Sequence, residues 1–309
     1  MMPAVDAALA ETFVVHQASV KGIPDIVAAF GDRIRGIATR GRQKTDAALI
    51  AGLPKLEIIS NCGVGYDSID VPAAKARGIV VTNTPDVLNE EVADFTVGLL
   101  LSTIRELPQA DRFLRDGKWP RGAYPLTQTL RDRTVGFAGM GRIGQAIARR
   151  VAAFDVPIVY HARKPQAGVA YRYYPDLKAM AADVDTLIAI VPGGASTRHM
   201  INADILAALG PRGILINVAR GSVVDQDALA DALRTGVIHG AGLDVFADEP
   251  NVPQSLLALP NAVMVPHVGS GTHHTRAVMG DLVVDNLRSW FAGKGPLTPV
   301  LETPWPTAG

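Results

Sequence analysis

The stretch TVGFAGMGRIG, residues 134–144, decides how this chain is read. VGFAG is a short apolar run of strand type, GMGRIG places glycines at 139, 141 and 144, and QAIARRVAAF after it repeats apolar residues at helical spacing. A strand, a glycine turn and a helix in that order make a phosphate-binding turn. Gly139 permits the tight turn, Gly141 lets the backbone approach a pyrophosphate, and Gly144 lets helix and strand pack closely. The helix start at Arg142 and Ile143 adds free N–H groups and the positive end of the helix dipole. Glycines in this pattern also punctuate ordinary crossovers, so the flanking strand and helix carry the dinucleotide assignment.

A dinucleotide site of this kind usually ends its second strand, about 20 residues on, with an acid for the ribose hydroxyls. Here that strand is PIVYHARKP, and its end holds His161, Ala162, Arg163 and Lys164 without a carboxylate. Two adjacent cations and no acid favour a 2′-phosphate, hence NADP(H) over NAD(H). A solvated loop pair at 163–164 with His161 capping the strand is the alternative.

Outward from the turn, short apolar runs alternate with helical patterns, as in parallel sheets covered by helices. Strands are expected at 135–138, 158–160, 186–191, 214–218, 240–243 and 263–265, with helices at 142–154, 176–182, 203–209 and 225–235. The first hundred residues repeat the theme, with strands at 13–16, 36–39, 57–60 and 79–82 and helices at 23–30, 45–51, 70–77 and 90–107. The fold class is therefore α/β, with two doubly wound parallel-sheet units. Between them RDGKWPRGAYPLTQT (115–129) reads as an exposed, turn-rich loop carrying Trp119 and Tyr124. A helix at 275–291 leads into the proline-rich tail GPLTPVLETPWPTAG, too short for a domain and expected to pack on one.

At 309 residues, 48% of them apolar, the chain has room for two globular cores. Thirty basic and thirty acidic side chains cancel, so no electrostatic footprint for nucleic acid or an anionic membrane is expected. The single cysteine, Cys62, excludes an intramolecular disulfide and a cysteine metal cluster, and suits a reducing cytoplasm. It reads as a small buried hydrophobe, lacking an activating base. The opening MMPAVDAALAETFVVHQ lacks the pattern of a secretory signal, and no apolar run approaches the 18 or so residues of a membrane span.

Three residues in the last third carry the chemistry: Arg220 in NVARGSVVD, Glu249 in GLDVFADEP and His267 in VPHVGSGT. Arginine grips a carboxylate with two parallel hydrogen bonds. Histidine titrates near neutrality and can hand a proton to a carbonyl oxygen. A glutamate beside it keeps the ring protonated and oriented. Taken singly, each has a plain reading: a surface ion pair, a turn acid before Pro250, a satisfied core histidine. The pair His273–His274 has no ligand cluster around it, so no metal site is expected. Asp67, Asp70 and Asp225 read as turn or helix-cap residues.

With those residues and the glycine turn in place, the chain resembles the D-2-hydroxyacid dehydrogenases. The resemblance rests on SNCGVGYDSID (60–70), NTPDVLNEEVADFTVGLLL (83–101), GMGRIGQAIARR, LINVARGSVVD (215–225), GAGLDVFADEP and MVPHVGSGT, in order along almost the whole chain. Within the family it looks most like the NADPH-dependent glyoxylate/hydroxypyruvate reductases, with hydroxyphenylpyruvate reductases close by. The resemblance implies a flavodoxin-like substrate domain from residues 1–101 plus 288–309, a Rossmann domain from 102–287, and an active site in the cleft between them. It places the backbone of Val64 and Gly65 at the substrate carboxylate and Thr96 near the cofactor phosphates. Val218 and Asp244 fall beside the nicotinamide. Pro192 and Thr197 fall on the adenosine side, where VPGGASTRHMI (191–201) departs from relatives by carrying two glycines. Arg220, Glu249 and His267 become the catalytic trio of a small 2-oxo acid reductase, with a D-hydroxy acid as product where it is chiral. Relatives imply a homodimer involving the loop around Trp119 and Tyr124. An NAD-linked phosphoglycerate-type dehydrogenase is disfavoured by the strand end at 161–164. Formate dehydrogenase is disfavoured because it carries glutamine where Glu249 stands. A dinucleotide-sensing co-repressor on the same fold is the reading outside catalysis.

Overall fold

A computed structural model describes residues 2–18, 22–41 and 43–305. The chain divides into two compact units, Met1–Leu88 with Thr272–Gly309, and Asn89–Gly271.

The first unit holds three parallel strands, β1 (Gly36–Thr39), β2 (Ile58–Asn61) and β3 (Val80–Thr82), in that spatial order. Both β2 and β3 are fully buried, as a parallel strand covered on two faces must be. Asp46 and Asp70 cap the helices Ala47–Ala51 and Val71–Ala76 by accepting from Leu49 N–H and Ala73 N–H, each at 2.9 Å. Helix His273–Phe291 covers the opposite face, where Val283 O accepts from Ser60 Oγ at 3.3 Å. The proline-rich tail closes the far edge, with Val300 N–H donating to Val81 O and Thr82 bridging Pro299.

The second unit is a seven-stranded parallel sheet. Its strands are β4 (Val135–Ala138), β5 (Ile158–His161), β6 (Arg172–Tyr174), β7 (Thr186–Ala189), β8 (Ile214–Asn217), β9 (Gly240–Leu243) and β10 (Ala262–Met264). Their order is β10-β9-β8-β7-β4-β5-β6. The direction of winding reverses at β4, flanked by β5 on one side and β7 on the other. Open α/β sheets bind ligands at the carboxyl end of such a switch point. Apolar side chains pack on both faces: one layer includes Phe137, Ile147 and Ile216, the other Leu187, Leu215 and Leu233.

Several elements differ from the sequence reading. Residues 13–16 form no strand; Val14 is 88% exposed and no ladder engages them. Their β-type composition is real, but a strand needs a neighbouring edge. Strand β6 is an edge strand rich in Arg and Tyr, whose polar pattern hid it. The expected helix 90–107 is Asn89–Ile104, broken at Glu106 by a left-handed backbone, after which Leu107–Arg115 forms a second helix. Helix Pro3–Ala10 was not anticipated. Helix Asn89–Ile104 packs on β8, β9 and helix Arg142–Ala152, whereas His273–Phe291 packs on β2 and on Pro3–Ala10.

Candidate active site

The glycine turn sits at the end of β4. Gly139 has φ +105°, and a Cβ there would lie 2.3 Å from Ile190 O, so only glycine fits. A Cβ at Gly144 would lie 2.8 Å from Gly139 O, which is the close helix–strand approach expected of it. Gly141 has nothing within 4 Å of its Cβ position. It caps helix Arg142–Ala152 without a side-chain bond to the helix start. The turn thus leaves open space in front of a helix N-terminus, which suits a pyrophosphate.

At the end of β5, His161 Nδ1 lies 3.0 Å from Tyr174 O, while Ala162 O accepts from Tyr173 Oη at 3.1 Å. That fixes the strand end and points the chain outward, where Arg163 and Lys164 are exposed. Among the described residues neither has an ion-pair partner. The two-glycine loop after β7 closes on itself, with Thr197 Oγ1 donating to Pro192 O at 2.7 Å.

Arg220 follows β8 and heads the turn Gly221–Val223. Its Nη1 donates to Ala219 O at 2.8 Å, and its own carbonyl accepts from Asn217 Nδ2 at 3.1 Å. Gly221 presses against the backbone of Phe246: a Cβ there would stand 1.8 Å from the Phe246 carbonyl carbon. The Arg220 turn and the Glu249 loop are therefore in direct backbone contact. The Glu249 loop is further held by Gln226, whose Oε1 accepts from Ala247 N–H at 2.6 Å.

His267 Nδ1 lies 2.6 Å from Glu249 Oε2, and Glu249 Oε1 accepts from Phe246 N–H at 3.0 Å. Both oxygens of Glu249 are thereby engaged. Burial pushes its carboxyl up, but the His267 bond, the Phe246 N–H and the charges of His267 and Arg220 outweigh it and hold it below the usual range. An ionised Glu249 accepts from Nδ1–H and leaves Nε2 as the ring's working nitrogen. His267 adopts a left-handed backbone, φ +56°, a conformation that costs about 1–3 kcal/mol and clusters at functional sites.

Asp244, after β9, is 3% exposed. Its oxygens accept from Val268 N–H at 2.7 Å and Gly269 N–H at 2.9 Å, tying the histidine loop to the sheet. Burial pushes its carboxyl above the ordinary range against those two donors. Val218 is buried beside it in the sheet's end. Thr96 is buried, and its hydroxyl donates to Val92 O at 2.6 Å.

In the first unit the loop 61–65 is shaped by two asparagines. Asn61 Nδ2 donates to Gly63 O and Gly65 O at 3.2 and 3.0 Å, and Asn83 Nδ2 donates to Val64 O at 2.9 Å. The loop's carbonyls are thus taken. Among the described residues nothing accepts from the N–H groups of Val64 and Gly65, which suits an anion. Sequence reasoning passed over Asn83 and Gln226, whose bonds reach backbone 19 and 21 residues away and leave no local pattern, and over Asn61, whose bonds run two and four residues ahead.

Comparison with known proteins points one way. Residues 97–269 match the family model for the D-isomer specific 2-hydroxyacid dehydrogenase, NAD binding domain. The chain is 48% identical over 268 residues to a glyoxylate/hydroxypyruvate reductase A of Arabidopsis thaliana, covering 87% of this chain and 86% of that one. It is 45% identical over 277 residues to the hydroxyphenylpyruvate reductase of Plectranthus scutellarioides, covering 90% and 88%. In three dimensions it is similar to the NADPH-dependent glyoxylate/hydroxypyruvate reductase of Sinorhizobium meliloti, solved in complex with NADP and malonate. That match has a TM-score of 0.92 and 54% identity, covering 98% of this chain and 95% of the other.

Proposed function

The chain belongs to the D-isomer-specific 2-hydroxyacid dehydrogenase family, and on that premise we propose that it reduces small 2-oxo acids, glyoxylate and hydroxypyruvate foremost, with NADPH. The observation that carries the chemistry is the 2.6 Å bond between Glu249 and His267, with the Arg220 turn packed on the same loop. When bound, the nicotinamide supplies a hydride to the carbonyl carbon. Arg220 binds the substrate carboxylate and polarises the ketone. His267, as imidazolium, donates the proton on Nε2 to the carbonyl oxygen while ionised Glu249 stabilises the ring's charge. The free N–H groups of Val64 and Gly65 bind a carboxylate oxygen.

For the cofactor, the open glycine turn at Gly139, Gly141 and Gly144, with Arg142 and Ile143 at the helix start, receives the pyrophosphate. Arg163 takes the 2′-phosphate with Lys164 assisting, and His161 and Ala162 frame the ribose. Support comes from the exposure of Arg163 and Lys164, which have no acidic partner among the described residues, and from the Sinorhizobium reductase solved with NADP. Val218 and Asp244 line the nicotinamide, and Pro192 and Thr197 the adenosine side. The protein acts as a homodimer through the 117–126 segment, where Trp119 is 65% exposed and Leu126 fully so. We place it in the cytoplasm on the strength of its single cysteine. No helix among the described residues is long and apolar enough to cross a membrane.

The test is a panel of glyoxylate, hydroxypyruvate, pyruvate and phenylpyruvates, each with NADPH and with NADH. The expected result is the highest kcat/KM on the first two acids with NADPH, pyruvate being poorer. Higher efficiency on phenylpyruvates moves the assignment to the aromatic relatives, and no oxidation of NADPH with any acid rejects catalysis.

A further inference from the structure

We propose that two tyrosines, Tyr160 and Tyr173, set the preference for NADPH by holding the backbone that carries Arg163 and Lys164. Both act as positioning residues, not as ligands of the cofactor. The inference rests on Arg163 as the partner of the 2′-phosphate and extends that reading to the side chains that aim it.

Strands β5 and β6 pair in parallel with Tyr160 opposite Tyr173, and β4 places Phe137 in the same row. Side chains in one such row share a face of the sheet. The row runs from the switch-point strand to the edge strand, on the face of the layer that includes Ile147. Tyr160 is buried, and its ring centre lies 5.5 Å from that of Tyr173. Packing asks only for an aromatic ring, which Phe137 supplies without a hydroxyl. The two outer rings carry hydroxyls, and a buried hydroxyl needs a partner.

Both hydroxyls find theirs in one short loop. Tyr173 Oη donates to Ala162 O at 3.1 Å, and Tyr160 Oη accepts from Gln166 N–H at 2.9 Å. These two backbone groups bracket Arg163, Lys164 and Pro165. Within the bracket, Gln166 Nε2 donates to Lys164 O at 3.1 Å, and Pro165 disfavours helical backbone at Lys164. Beyond it, Val169 N–H donates to Gln166 O at 3.3 Å, across a turn with Gly168 at φ +75°. Ala162 and Val169 pack inward, whereas Arg163, Lys164 and Pro165 stand exposed. At the strand end, His161 O accepts from Gly139 N–H at 2.9 Å. The loop with the two cations is thereby tied to the glycine turn as well as to the tyrosine row.

Ordering a free loop around a ligand weakens binding, whereas a loop ordered on folding presents its charges without that cost. Only a cofactor with a 2′-phosphate calls on these two cations, so slackening the loop should weaken NADPH and spare the contacts shared with NADH. The test titrates the full chain calorimetrically with adenosine 2′,5′-bisphosphate and with 5′-AMP, which differ only in the 2′-phosphate. The variants are Tyr160→Phe, Tyr173→Phe, the pair Arg163→Ala/Lys164→Ala, and that pair with Tyr173→Phe added. Phenylalanine keeps the ring and removes the hydroxyl. Each single tyrosine change should weaken the bisphosphate about three- to tenfold, the range of one net hydrogen bond, and leave 5′-AMP unchanged. Hydrogen exchange should quicken across 162–168 in both. Without the two cations, Tyr173→Phe should have no further effect on the bisphosphate, because no charge is left to aim. Equal weakening of both ligands by the tyrosine changes overturns the proposal, as does a selective loss that persists in the absence of the cations. If the cation pair weakens the bisphosphate selectively and neither tyrosine change does, the 2′-phosphate reading stands and the positioning role is wrong. If the cation pair weakens both ligands equally, the 2′-phosphate reading fails and the proposal falls with it. The two tyrosine variants are read separately, so one that does not fold leaves the other to decide.

Discussion

Replacing Glu249 by Gln separates charge from shape in the proposed proton donor. The amide keeps an oxygen for the Nδ1–H of His267 and fits the same space, so ring orientation survives and only the negative charge is lost. The 2.6 Å contact puts the two charge centres about 4 Å apart, worth about 1 kcal/mol in water and about 4 kcal/mol at the effective dielectric of a protein surface. The His267 and Glu249 side chains are 45% and 35% exposed, so solvent screening holds the value near the lower limit, about 1–2 kcal/mol. Loss of that charge should move the pH profile of ketone reduction toward acid. Turnover at neutral pH should drop roughly tenfold, recovering toward wild type in more acid buffer. The assay is NADPH oxidation with glyoxylate from pH 5 to 9, followed as kcat and kcat/KM. A stability control has a definite sign. Because the folded state holds the Glu249 carboxyl low, its contribution is present above the ordinary carboxylate range and lost as pH falls through its folded value. Wild type and variant should converge in stability in acid. A pH–rate profile in Glu249→Gln that superimposes on wild type refutes the pairing as the source of the proton.

Arg163→Ala should raise KM for NADPH roughly ten- to a hundredfold, as expected for a charge-assisted contact of about 1.5–3 kcal/mol, and leave KM for NADH nearly unchanged; equal weakening of both removes the phosphate role. His161→Asp should penalise NADPH further by repulsion, read from the same ratio of constants. Gly221→Ala forces a Cβ into the Phe246 carbonyl, an overpacking expected to cost about 1–3 kcal/mol; kcat should fall while KM for NADPH holds, and a fully active variant would show that the two loops move independently. Trp119→Ser should shift the protein from dimer to monomer in light scattering at micromolar concentration, and a wild-type monomer there sinks the assembly proposal.

Much of the site was legible because its signals are local. A strand, three glycines and a helix start within eleven residues mark a strand–turn–helix unit, and Gly139 and Gly144 occupy the strained and crowded positions expected of them. The strands of the large sheet were legible for a related reason: buried on both faces, they must be continuous apolar runs. Asp70 and Asp225 announce themselves as helix caps because a cap bonds three residues ahead.

What the sequence by itself determined about this protein is the order of elements, the identity of the glycine turn and the residue types available for acid–base and carboxylate chemistry. Tertiary structure alone decided which of them meet. The Glu249–His267 bond spans 18 residues, the Asp244 bonds to the histidine loop 24 and 25, and the Asn83–Val64 bond 19. Thr96 is buried by the packing of its helix, something its local sequence does not show. Residues 13–16 have the composition of a strand and lack an edge to join. The physical reason is the same in each case. Propensity and capping act within a turn or two of chain. Pairing of edges, burial of a hydroxyl and the meeting of two charges are properties of surfaces brought together from distant segments, and no single segment encodes them.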